Sequence, residues 1–123
     1  MTTVMVVEDD PQVVRMLVTL LELEGFRGVG CSEAERALEE IRRARPDVVV
    51  MDLHLGGRSG LELLRALRAD PELQGTRVVI VSGEDRLREA RAAGADAFVL
   101  KPFSMEELVE ALRRLESWKE GPP

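Results

Sequence analysis

Thr3-Val4-Met5-Val6-Val7-Glu8-Asp9-Asp10-Pro11 is the stretch on which the reading of the whole chain turns. Five residues rich in β-branched side chains are followed by three acids and then a proline. A short apolar run of this kind suits a strand buried on both faces. The Asp10-Pro11 pair starts a helix at once, because Asp accepts a hydrogen bond from a first-turn N–H and proline has none to lose there. A buried strand therefore ends in carboxylates and passes directly into a helix.

Working outward, the same alternation recurs five times. The strand candidates are Thr3 to Val7, Phe26 to Gly30, Asp47 to Met51, Arg77 to Val81 and Ala97 to Leu100, and their Val-rich character predicts burial on both faces. Between them the apolar residues recur every three or four positions, as on one side of a helix. Ser32 with Glu35, Ser59 with Glu62, and Ser104 with Glu107 each fit a capping box. Gly25, Pro46, Pro71 and Gly94 mark the stops. Five β-α repeats predict an α/β fold, a doubly wound parallel sheet with helices on both faces. Residues 1–118 make one domain, and Lys119 to Pro123 read as a tail or linker stub.

Composition narrows the function. A chain of 123 residues, 45% hydrophobic, buries one core. Its net charge of −6 argues against direct nucleic-acid binding by the domain itself, which needs Lys and Arg to displace counterions. No apolar run approaches the roughly 18 residues of a membrane span, no leader opens the chain, and the lone Cys31 has no partner for an intrachain disulfide. A cytoplasmic protein that does not contact membrane is the expectation.

In doubly wound sheets ligands bind beyond the carboxyl ends of the strands. Those ends carry Glu8-Asp9-Asp10, Asp52, Ser82 and Lys101. If the first and third strands are neighbours, Glu8, Asp9 and Asp52 converge. Each pair at about 4 Å would repel by about 4 kcal/mol at an effective dielectric of 20, so the cluster calls for a cation. Hard oxygen ligands with no His or Cys partner select Mg²⁺. Asp52 is the natural nucleophile toward phosphorus, with Lys101 and Ser82 as donors to phosphoryl oxygens, while Asp10 caps the following helix.

Val6-Val7-Glu8-Asp9, Met51-Asp52, Val81-Ser82-Gly83 and Lys101-Pro102-Phe103 together resemble the four signature blocks of response-regulator receiver domains, CheY-like modules of two-component signalling. The likeness spans Thr3 to about Trp118. It implies a flavodoxin-like (βα)5 fold with strand order 2-1-3-4-5. It further implies phosphorylation of Asp52 by a histidine kinase, a phosphotransfer protein or small phosphodonors. Mg²⁺ would be held by Asp9, Asp52 and the backbone carbonyl of His54, with Glu8 acting through water. A shift of Ser82, an inward turn of Phe98, a cis Lys101–Pro102 peptide, and control of a downstream effector or of an output domain are also implied. Such a protein is a signalling phosphoacceptor, not an enzyme beyond self-phosphorylation and self-dephosphorylation. The sequence leaves the kinase, the output and homodimer formation open.

Three departures from the family stand out. Phe98 replaces the usual Tyr and lacks its hydroxyl. Gly56 stands where many relatives have Pro, which predicts a looser Leu55 to Arg58 loop. Nineteen positions separate Ser82 from Lys101, about three fewer than usual and close to one helical turn, so the fourth helix, roughly Glu84 to Ala93, is short and a different or modified interaction surface is expected. Blander readings stand beside the sharp ones. Ser82 could serve as a helix cap, Lys101 as a solvated lysine and Glu8-Asp9 as a polar turn. The His54 side chain is expected on an exposed loop, Cys31 buried, Trp118 packing the tail, and Arg42, Arg43 and Arg45 on a solvated helix face. The rival functions are a receiver-like interaction module that is not phosphorylated and a small Mg²⁺-dependent aspartyl-phosphate phosphatase. Against the latter, no second Asp follows Asp52 by two residues to act as general acid. Flavodoxin-type cofactor binding is disfavoured because Glu8-Asp9-Asp10 would repel its phosphate.

Overall fold

The computed structural model describes residues 1–118, so the proposed tail 119–123 lies outside the described residues. Five parallel strands form the sheet: β1 (Thr3–Val7), β2 (Arg27–Cys31), β3 (Val48–Asp52), β6 (Arg77–Ser82) and β7 (Ala97–Leu100). A separate two-stranded hairpin, β4 (His54–Leu55) and β5 (Arg58–Ser59), intervenes after β3. Sheet order is β2-β1-β3-β6-β7, the 2-1-3-4-5 order of a doubly wound sheet with the hairpin left out of the count.

Side-chain alternation builds two cores. Val4, Val6, Val48, Val50, Val79 and Val81 point to one face, where Leu17 and Leu21 of α1 (Pro11–Leu23) and Leu108, Leu112 and Leu115 of α5 (Met105–Glu116) cover them. Met5, Val7, Val49, Met51, Val78 and Ile80 point to the other, beneath α2 (Ala34–Ala44), α3 (Gly60–Ala69) and α4 (Leu87–Ala93). Fully buried leucines such as Leu64, Leu67, Leu108 and Leu112 each contribute about 1.5–3 kcal/mol by leaving water.

Burial on both faces holds for the interior strands β1, β3 and β6 but not for the edges. β2 is mostly exposed or half-buried, and Leu100 at the end of β7 faces solvent. An edge strand has a neighbour on one side only, so its side chains are less completely covered. Gly28 and Gly30 on β2 let α1 lie close: a Cβ on Gly30 would sit 2.3 Å from Val14 Cγ1.

Asp10 caps α1 by accepting from the Gln12 N–H, with Pro11 in its first turn, and Ser104 with Glu107 forms a full capping box on α5. The other two expected boxes need correction. β2 runs one residue further than expected, to Cys31, whose carbonyl accepts from the Glu8 N–H. The N-cap of α2 is therefore Glu33, without a side-chain bond, and Ser32 is no cap. Ser59 does cap α3 through the Leu61 N–H, but Glu62 does not reach back; Ser59 is paired with His54 in the hairpin instead.

Other boundaries also move: β3 runs Val48–Asp52 instead of Asp47 to Met51, and β6 reaches Ser82, one residue beyond Val81. Phe26 closes the end of α1 through its N–H to Leu21 O instead of opening β2. The fourth helix begins at Leu87 rather than near Glu84, leaving seven residues. Trp118 packs against the α1–α5 core, with the Arg77 guanidinium 5.8 Å from its ring centroid.

Candidate functional site

The carboxyl edge of the sheet carries Glu8, Asp9, Asp52, Ser82 and Lys101. Asp52 ends β3 opposite Val81, and Ser82 ends β6 opposite Leu100. Glu8 follows β1, and Lys101 follows β7, its backbone N–H donating to Ser82 O at 2.7 Å. The Lys101–Pro102 peptide is cis, in line with the expectation.

Asp52 is 5% exposed, a buried carboxylate that needs partners. It has two kinds. The His54 backbone N–H donates to Oδ1 at 2.9 Å, and the Lys101 ammonium contacts Oδ2 in a salt bridge. Lys101 is thus not an ordinary solvated lysine, although its head stays partly in water.

Glu8 is half-buried. Its carboxyl is pushed up to about 7, first by burial and then by the neighbouring carboxyls of Asp9 and Asp52. Asp10 turns away to its helix cap, accepting from Gln12 N–H at 2.9 Å. This is the cap expected of Asp10, and Glu8 is left with the carboxyls of Asp9 and Asp52 as its neighbours. Among the described residues no three His, Cys, Asp or Glu side chains are grouped closely enough to enclose a metal ion by themselves. The donor set still suits a hard cation that keeps several waters and takes only one or two carboxylates. The raised Glu8 carboxyl marks where positive charge would be welcome.

Ser82 is fully buried, and its Oγ accepts from the Glu84 N–H at 3.0 Å. Because the helix proper starts at Leu87, this is a serine turn in the connection rather than a helix cap. A hydroxyl that accepts can still donate its own proton. Phe98 lies half-buried opposite Ile80, against the core beneath α3 and α4.

The Leu55 to Arg58 connection closes the β4–β5 hairpin. Gly56 has φ +64°, a value proline cannot adopt, so glycine here sets the turn. His54 is exposed, but it lies on β4, and its Nε2 is 2.7 Å from Glu84 Oε1. The residues two places beyond Asp52 and Ser82 therefore meet across the mouth of the site. Cys31 is buried, its thiol pushed up by burial, and Arg42 and Arg43 pair with Asp70 and Glu39 on exposed surface.

Sequence reasoning missed Gly60 and Glu84. A Cβ on Gly60 would lie 2.3 Å from Asp52 O, so only glycine lets α3 start against the backbone of the acidic residue. A glycine directly after a capping Ser was the available signal; Glu84 offered none.

Comparison with known proteins supplies the family. Residues 4–113 match the model of the response regulator receiver domain. TcrX of Mycobacterium tuberculosis, a probable transcriptional regulatory protein, is 40% identical over 92% of this chain and 49% of its own length. The DNA-binding response regulator MtrA of Mycolicibacterium smegmatis is 36% identical over 89% of this chain and 48% of its own length. The chain thus spans about half the length of these curated relatives. Among solved structures, the response regulator TrrA of Thermotoga maritima, in complex with Mg²⁺ and BeF, superposes with a TM-score of 0.81 at 27% identity, covering 94% of this chain and 99% of its own. Sheet order, strand-end chemistry and sequence likeness agree: this chain belongs to the response-regulator receiver domain family of two-component systems.

Proposed function

We propose that the chain is the phosphoacceptor of a two-component phosphorelay, with Asp52 as the residue phosphorylated. The observation that carries this reading is the buried Asp52 carboxylate at the carboxyl end of β3, flanked by Lys101, Glu8 and the buried Ser82 hydroxyl. A carboxylate oxygen of Asp52 attacks phosphorus in line. The new O–P bond forms as the P–N bond of a partner's phosphohistidine breaks, and the leaving imidazole takes up a proton.

Lys101 balances the Asp52 charge before transfer and donates to a phosphoryl oxygen after it. The Ser82 hydroxyl donates to another. Mg²⁺, held by Asp9, Asp52 and the His54 carbonyl with Glu8 through water, would offset negative charge on the phosphoryl group. Movement of Ser82 toward that group draws on the Glu84 connection, and Phe98 turns into the space beside it. The rotamer change needs only an aromatic ring, so Phe serves where relatives carry Tyr, without a hydroxyl for a partner to read.

The acid-rich composition and relatives of twice this length support a role upstream of a separate output, an attached domain or a partner protein, in the cytoplasm. Among the described residues no helix is long and apolar enough to cross a membrane. The test is intact-protein mass after incubation with acetyl phosphate and Mg²⁺, beside Asp52→Asn and a chelator control. One phosphoryl group on the native protein alone is the expected result. No mass gain on folded native protein from either acetyl phosphate or a phosphorylated kinase would refute it in favour of an interaction module.

A further inference from the structure

Arg68, in the last turn of α3, is the most heavily bonded side chain outside the site. Its Nε donates to Gly94 O at 2.9 Å, and one terminal nitrogen donates to Thr76 O at 2.6 Å and Gln74 O at 3.3 Å. The other terminal nitrogen is 2.8 Å from Asp96 Oδ2. Asp96 in turn accepts from the Val78 N–H at 2.8 Å and sends its own N–H to Val78 O at 2.9 Å. One half-buried guanidinium therefore joins the end of α3, the 70–76 connection, the start of β6, the end of α4 and the segment leading into β7. A planar five-donor fork can serve this many acceptors at once; an ammonium cannot.

The two ends of α4 are held very differently. At its C-terminal end Gly94 takes φ +105°, and a Cβ there would be 2.8 Å from Arg68 Cγ, so the helix end is seated directly on the arginine stem. The N–H groups of Gly94 and Ala95 bond back to Arg91 O and Ala90 O. At its N-terminal end Arg86 provides no side-chain cap, and residues 83–85 are exposed. That end is tied to the site through Glu84 alone among the described residues, by its N–H to Ser82 Oγ and by its exposed carboxylate to His54 Nε2. The helix between has just seven residues, about two turns.

The geometry assigns Arg68 as a positioning residue, the fixed pivot about which α4 turns when Ser82 and Glu84 move. This rests on the reading of Asp52 as acceptor and Ser82 as responder. With its far end bound, α4 does not slide along the sheet, and the backbone leading into Phe98 and Lys101 keeps its register on β6. The change at Asp52 is thereby confined to the near end of α4 and to the Phe98 side chain.

Hydrogen exchange followed by mass spectrometry, before and after phosphorylation from acetyl phosphate with Mg²⁺, tests this. In the native protein, phosphorylation changes exchange over residues 83–90 and leaves amides 94–97 within about twofold. Arg68→Lys still accepts one phosphoryl group, but its amides 94–97 exchange about tenfold faster or more and now respond to phosphorylation, as expected for loss of charge-assisted bonds. Native amides 94–97 that respond as strongly as 83–90 would overturn the assignment, as would exchange in Arg68→Lys equal to native. Where Arg68→Lys does not fold, Asp96→Asn carries the same comparison, since it keeps an acceptor for Val78 and removes only the charge. A native protein that takes up no phosphoryl group refutes the functional reading. The pivot is then judged on the unmodified proteins, where faster exchange of 94–97 in the variant upholds it and equality overturns it.

Discussion

Neighbouring helices α3 and α4 lie on the same face of the sheet and follow the two strands that end in Asp52 and Ser82, yet they are built to opposite ends. α3 begins hard against its strand: Gly60 touches the Asp52 backbone, Ser59 caps the helix, and Leu61, Leu64 and Leu67 are buried. α4 begins four residues clear of β6, has no side-chain cap, and buries only Ala90 and Ala93. Rigidity therefore sits beside the residue read as acceptor, and freedom beside the one read as responder. A nucleophile gains from fixed geometry, whereas a response needs an element with little buried area to give up.

Substitutions can break that contrast or sharpen it. The largest effect is expected from Gly60→Ala, because the added Cβ meets backbone that cannot yield. Stability should fall by about 3 kcal/mol in a urea titration, with phosphoryl uptake impaired in whatever protein folds. Gly94→Ala combines a positive φ with contact against the Arg68 stem and should cost about 2 kcal/mol by the same measurement. Its effect shows that α4 is firm at one end. Ser59→Ala removes the α3 cap for about 1 kcal/mol.

The smallest change carries the opposite sign. Arg86→Ser places a capping side chain three residues before Glu89, and should add about 0.5 kcal/mol despite losing the exposed Arg86–Glu89 pair. If it destabilises the protein in the urea titration, the near end of α4 is not the loose element described here.

Much of the site could be read before any coordinates, because its residues are strand-end residues and a parallel sheet brings such ends to one edge. Asp10 and the Ser104–Glu107 pair capped as expected, since their bonding is local. Ser32 did not, and nothing near it in the chain could have revealed this: the extent of β2 is decided by pairing with β1. Spacing along the chain places Glu8, Asp9 and Asp52 at one edge but does not say which way each side chain turns.

By itself the sequence determined the five β-α repeats, the two apolar faces and the chemical character of the strand ends, because periodicity and local capping depend on neighbours within a few residues. Only the tertiary structure decided the hairpin over the site, the meeting of His54 with Glu84, the need for glycine at position 60 and the gathering of five segments on Arg68. Those depend on where distant backbone passes, and hydrogen bonds made across such distances leave no period in the chain.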